Sequence, residues 1–222
     1  AIAVHPTNPD IAYVGTASGG LYRTLNGGTN WTPLMDSALT TAIGAVAISP
    51  SDPTTVFVGT GESTLCGGGC FIGVGLYRIT NADTTPVLSD ALNKNVSNAD
   101  VFTGRAISEV LVHPTDSNIL FVATSSGVAG IGGTTSGATL PSRGVYRTTN
   151  ALSASPTFTR LDVAGISERS VTDLAMEPDN PNRIYVGVLG VGAGDGGVYV
   201  TSNALDAVPT FTQALSTSLT GN

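Results

Sequence analysis

Short apolar runs punctuated by Pro, Gly, Asn and Asp recur along this chain, and one order of runs returns four times. Each copy opens on an apolar run closed by proline: AIAVHP, GAVAISP, SEVLVHP and TDLAMEP. A polar turn leads to a second run (IAYVGT, TVFVGT, ILFVAT, RIYVGV). A loop of variable length then leads to a third (GGLYRT, VGLYRI, RGVYRT, GGVYVT). Each third run meets an asparagine, Asn26, Asn81, Asn150 or Asn203, before a shorter fourth run. β-branched and aromatic residues within the runs, and turn formers between them, specify strands; no stretch carries capped helical periodicity. Near-continuous apolar runs such as GAVAIS and TVFVG suit sheets covered on both faces.

The copies span residues 1–41, 42–104, 105–168 and 169–222. Four short strands in roughly 40 to 65 residues is the period of a β-propeller blade. The predicted fold is therefore all-β, a single β-propeller segment over 1–222 with four four-stranded antiparallel blades. The chain opens on the first strand of one blade and closes after the fourth strand of another, leaving no strand to lock first blade to last. The expectation is four blades of a larger ring, in a chain that is the processed or ordered part of something longer.

The stretch TLNGGTNW, Thr24–Trp31, resembles the Asp-box or BNR repeat, whose pattern is Ser/Thr-x-Asp-x-Gly-x-x-Trp. Joined to HPTNPDIAYVGT upstream, it is similar to the propellers of the sialidase, sortilin and xyloglucan-hydrolase groups. The resemblance runs through all four copies, with Asn in place of the Asp in each; the last three also lack the Gly and Trp. It implies a fold and a structural turn, and it transfers no catalytic residue to this chain. In such a turn Asn26 accepts backbone N–H bonds two residues on. Gly27 and Gly28 supply positive φ, Thr24 adds a hydroxyl bond, and Trp31 packs under the turn. Asn81, Asn150 and Asn203 hold the same place. His5 and His113, each before a proline, mark strand-to-turn corners, as Ser49 and Glu177 do in the other copies.

Composition narrows the function classes. Charged residues are 11% of the chain, against roughly 25% in ordinary soluble proteins. The formal net charge is -7, with one lysine, Lys94, and no basic stripe, which argues against nucleic acid. No apolar run approaches the ~18 residues of a membrane span. Cys66 and Cys70, in LCGGGC, are spaced to close a small disulfide suited to an oxidising compartment, with free thiols the alternative. Two thiols are too few for a metal site, so no metal or cofactor is predicted. With the sequons at Asn30 and Asn95, these features point to an exported protein, extracellular or at the cell surface.

Chain direction divides the blades into two ends. First-to-second and third-to-fourth turns share one end and are short and alike. Second-to-third loops and inter-blade links share the other, and there the lengths diverge, from ASGG to SSGVAGIGGTTSGATLPSR. Insertions on one face mark the binding face. Its polar candidates are the carboxylates Glu62, Asp100, Glu168 and Asp195 and the arginines Arg105, Arg143 and Arg169, with Phe71 and Phe102 its aromatics. Arg105 and Arg169 enter equivalent innermost strands, followed by the equivalent Glu109 and Asp173. Arg23, Arg78 and Arg147 occupy one place in three copies and read as architecture.

Two functions follow. The first is an interaction module binding a protein or a glycan through the loop-rich face. The alternative is a glycoside hydrolase of xyloglucanase or sialidase type, which needs two carboxylates about 5 to 10 Å apart and would share its site with blades outside this segment.

Overall fold

Within each blade every strand pairs with the next along the chain, which is what short runs joined by tight turns dictate. The computed structural model describes residues 1–62, 71–126, 139–165, 168–190 and 196–216. The first sheet is β1 (Ile2–Val4), β2 (Ala12–Gly15), β3 (Leu21–Thr24) and β4 (Thr32–Pro33). The second is β5 (Ile43–Ile48), β6 (Val56–Thr60), β7 (Leu76–Thr80) and β8 (Val87–Leu88). The third is β9 (Ala106–Val112), β10 (Leu120–Ser125), β11 (Gly144–Thr148) and β12 (Thr159–Leu161), and the fourth β13 (Val171–Glu177), β14 (Asn180–Val188), β15 (Gly197–Thr201) and β16 (Thr212–Ser216). Each is a four-stranded antiparallel meander, and neighbouring sheets stack from first to fourth through β1, β5, β9 and β13. This is a run of four propeller blades. All residues of β6 and β10 are buried, as continuous apolar runs in central strands require.

Three apolar clusters fill the three junctions between blades. One contact recurs in them. A Cβ added at Gly15 would lie 2.3 Å from Ile43 Cγ2, and one at Gly59 would lie 2.3 Å from Ile107 Cγ2. The missing side chain on a second strand thus admits the branched residue that opens the next blade's innermost strand.

The arginines of the third strands give the junctions their polar half. Arg23 Nη1 donates to the carbonyls of Ala82 (2.7 Å) and Thr84 (3.3 Å). Arg78 Nη1 donates to Ala151 (2.5 Å) and Ser153 (3.0 Å), and Arg147 Nη1 to Ala204 (2.5 Å) and Asp206 (2.6 Å). Each guanidinium therefore grips the same two carbonyls, one and three residues past the asparagine of the following blade. Burial lowers the pKa of Arg78 and Arg147, but a guanidinium keeps its charge.

The asparagine turns are clasped differently from the expectation. Asn26 Oδ1 accepts from the Asn30 amide, four residues on, and from the Thr24 hydroxyl. Asn150 and Asn203 accept from amides seven residues on, Thr157 and Thr210, and from Thr148 and Thr201. The side chain closes the whole loop between third and fourth strands, and is not confined to its own turn. In the second blade Ile79 stands where the others have threonine, and Asn81 takes φ 51°. Trp31 lies beside Gly28, 3.7 Å from where a Cβ there would sit, and is 43% exposed; it flanks the turn and is not packed under it. The residues after the asparagines, Gly27, Ala82, Ala151 and Ala204, donate to Asp10, Thr54, Asn118 and Asn182, tying the two short turns of each blade together. His5 and His113 cap the first turn through Nδ1, which accepts from the Thr7 and Thr115 amides.

Two substitutions test this account. Arg78→Ala strands two junction carbonyls and is expected to cost about 2–3 kcal/mol in urea unfolding. Tyr13 is fully buried at the place of Phe57 and Phe121, and its hydroxyl meets no partner. Tyr13→Phe should therefore stabilise the fold by about 1 kcal/mol, since it removes an unsatisfied buried hydroxyl.

Candidate functional site

On the loop-bearing end, strand entries bring Arg105, Arg143 and Glu168 together. Each stands one to three residues before an innermost or third strand, so the meander delivers all three to the same edge. Arg105 Nη2 lies 3.8 Å from Glu168 Oε2, and its Nε donates to the Pro141 carbonyl at 2.6 Å. Arg143 Nη2 donates to the Glu168 carbonyl at 2.5 Å, and Nη1 reaches the hydroxyls of Ser126 and Ser170. Glu168 holds φ 58° and keeps its side chain at the surface. Burial lowers the Arg105 pKa; the Arg143 charge acts the same way, and Glu168 opposes both. The trio clamps the entry to the fourth blade onto the loop of the third.

Asp100 is equally committed. Oδ1 accepts from the amides of Phe102 (3.0 Å) and Thr103 (2.8 Å), and Oδ2 from Asn93 Nδ2 (2.8 Å) and the Thr103 hydroxyl (2.7 Å). It folds the link between second and third blades into a turn. Phe102, predicted to stand on the binding face, is 0% exposed, packed edge-on against Tyr146 at 5.1 Å and Phe158 at 4.9 Å. The link carries it inward to plug the outer edge of the third blade, so it is core. Phe71 stays half exposed, its backbone paired with that of the buried Glu62 in both directions. Arg169 is half-buried beside the clamp in sequence. Cys66, Cys70 and Asp195 lie outside the described residues.

The innermost strands carry Glu109 and Asp173. Burial raises the Glu109 pKa, its bond from the Val110 amide opposes this, and the Asp173 charge adds to the rise. Among the described residues no cluster of three His, Cys, Asp or Glu could hold a metal.

The folded link creates a groove that sequence reasoning missed. A hollow of about 330 Å³ lies beside it, floored by Tyr146 and Phe158 and walled by Val96, Val101, Pro141 and Arg160. A second, of about 460 Å³, shares Asp100 and Pro141 with the first and continues past Thr103 to Leu140. A third, of about 370 Å³, shares Asn95 and Val96 and runs toward Pro156. Val96 stands 80% exposed on the rim. These residues come from the link, the long loop, the turn before β12 and the outer two strands of the third blade, and the hint in the chain was the length of that link and loop.

No protein-family signature matches the chain, and no curated protein matches it in sequence. Solved structures do match in shape. An ancestral GH74 enzyme superposes with TM-score 0.64 at 18% identity, over 99% of this chain and 24% of its own. The GH74 enzyme of Niastella koreensis gives 0.63 at 23%, over 97% and 29%. YCF48 from Cyanidioschyzon merolae gives 0.51 at 15%, over 95% and 55%. This chain thus spans about a quarter of the GH74 enzymes it resembles, and the likeness is one of β-propeller fold.

Burial pushes the Tyr146 hydroxyl at the groove floor up from 10.0 to about 12, and that of Tyr13 likewise. A raised folded pKa on a neutral acid stabilises the fold below the unfolded value, and that stability is lost as pH rises through the folded one. Absorbance titration should show a late tyrosine component that shrinks in Tyr13→Phe, with stability falling between about pH 10 and 12.

Proposed function

We propose that this β-propeller segment is a non-catalytic interaction module of an exported assembly, taking a partner into the groove between its second and third blades. The observation that carries this reading is the state of Asp100 and Glu168. Both belong to the loop-bearing end, and both are committed to holding it: Asp100 by four hydrogen bonds and Glu168 by Arg105 and Arg143. A glycosidic general acid or nucleophile must face substrate, whereas these carboxylates shape a surface.

The groove favours an extended protein chain over a sugar ring. Its rim pairs Pro141 and the exposed Val96 with polar groups such as Asn95 and Arg160, which suit an amide backbone, and its aromatics, Tyr146 and Phe158, are buried in the floor with no open ring face for stacking. The turns clasped by Asn26, Asn150 and Asn203 fit the Asp-box-like reading of the repeat, and the Cys66–Cys70 spacing fits an oxidising exterior. Further blades would extend the segment into a larger ring.

The GH74 likeness keeps one competitor specific, a glycoside hydrolase whose carboxylates come from beyond these residues. Interferometry of the purified chain against immobilised extended peptides and oligosaccharides separates the two. The expected result is a peptide ligand whose affinity falls about tenfold, or ~1.4 kcal/mol, in Val96→Asp, with no reducing ends released from soluble β-glucans. A glycan ligand lost in the same variant would retain the module and replace its partner class. Release of reducing ends would overturn the non-catalytic reading.

A further inference from the structure

Interior arginines in this chain follow one rule, and Arg105 departs from it. Arg23, Arg78 and Arg147 each send a terminal nitrogen to two carbonyls of the next blade. Arg105 is as deeply set as Arg23, 9% against 8% exposed. Among the described residues its guanidinium makes a single hydrogen bond, from Nε to the Pro141 carbonyl at 2.6 Å. Glu168 Oε2 stands 3.8 Å from Nη2, beyond hydrogen-bond reach. Both terminal nitrogens of a nearly buried cation thus lack an acceptor.

The neighbouring charges deepen the deficit. Arg143 brings a second guanidinium, and its bonds run to neutral acceptors, the Glu168 carbonyl and the hydroxyls of Ser126 and Ser170. Two cations therefore share one carboxylate, whose side chain is 47% exposed. Burial lowers the Arg105 pKa, repulsion from Arg143 lowers it further, and Glu168 opposes both. A charge withdrawn from water without a full partner is strongly unfavourable. In a chain with sixteen acidic and nine basic residues, this local surplus of guanidinium calls for an anion.

The surplus adjoins the groove. Pro141, whose carbonyl holds Arg105, walls both the first and the second hollow. Arg160 and Arg105 both act on the Tyr146 hydroxyl at the floor, and Glu168 alone among charged neighbours opposes them there. Asp100 lies on the same wall, but its two oxygens already accept four hydrogen bonds. The group resting against Arg105 is itself a carboxylate, which indicates the chemistry of the missing partner. Glu168 keeps its place through its backbone, since its carbonyl takes the 2.5 Å bond from Arg143 Nη2. Its side chain can swing aside without releasing the turn.

We propose that Arg105, backed by Arg143, is a carboxylate receptor at the end of the groove, taking an aspartate or glutamate side chain of the extended peptide bound there. The inference rests on the groove reading above and adds the class of partner, an acidic segment with an apolar residue over Val96. The incoming carboxylate gives acceptors to both terminal nitrogens in the paired geometry that a guanidinium favours. Glu168 yields to it and turns toward solvent.

Interferometry with blocked hexapeptides tests the proposal. The set alternates valine and serine, is acetylated and amidated at its ends, and carries one Glu at each position in turn, with a Gln counterpart for each. The best Glu peptide should bind the unmodified chain about tenfold tighter than its counterpart. That ratio should fall to about one in Arg105→Gln, and rise about threefold in Glu168→Gln, which removes the competing charge. A merely structural effect of either substitution weakens both peptides alike and leaves the ratio unchanged. Circular dichroism checks the fold of each variant; should Arg105→Gln lose its β spectrum, Glu168→Gln decides, and an unchanged ratio there overturns the proposal. A ratio that persists in folded Arg105→Gln overturns it as well. Gln peptides that bind through Val96 with no advantage for Glu overturn the receptor and leave the groove reading standing. No binding by any peptide overturns both.

Discussion

A guanidinium held between two blades is the interaction on which the rest of this molecule depends. Arg23, Arg78 and Arg147 each leave a third strand and end on two carbonyls of the following blade. Those carbonyls belong to a turn already closed by its asparagine and tied to the neighbouring turn. The arginine therefore measures the offset between adjacent sheets against a rigid reference. An ammonium could not do the same, because a compact and strongly hydrated charge lacks the planar fork that reaches carbonyls from a fixed direction. Beneath it, Gly15 against Ile43 and Gly59 against Ile107 set how closely the sheets approach. Polar reach and apolar depth together define the rotation from blade to blade.

With one end of the blades fixed in this way, the other end is free to vary in length. Variation there has produced a second layer of structure, held by Asp100 and by the Arg105, Arg143 and Glu168 clamp. Asp100 does for its link what the asparagines do for the short turns, as an acceptor with several lone pairs that collects the amides that follow, while in the clamp the two guanidiniums donate to carbonyls and hydroxyls of the loops they join. The groove is a by-product of that order. It exists because the link to the third blade is long enough to cross an edge strand and drive Phe102 between Tyr146 and Phe158.

The repeat made the fold legible. Equivalent residues could be aligned by eye, and that alignment also identified the three arginines as architecture, although not what they hold. The loop-bearing end was legible only as a location. Glu168, Arg105 and Arg143 are far apart in the chain, and their convergence requires the sheet-to-sheet rotation. Phe102 was misread for the same reason: it sits in a link without period, where no alternation says which way a side chain turns. The asparagine clasp was recognised but its span was underestimated, because the length of the closed loop depends on where the fourth strand rejoins the sheet.

What the chain determines alone is therefore local and repetitive: strand, turn, blade and the order of blades, all set by contacts between residues near in sequence. What only the tertiary structure decides is which carboxylates are spent on holding loops and which aromatic becomes core. Each of these turns on a contact between segments distant in sequence. Local pattern specifies no such contact, because the angle between stacked sheets comes from side-chain packing and not from the alternation within any one strand.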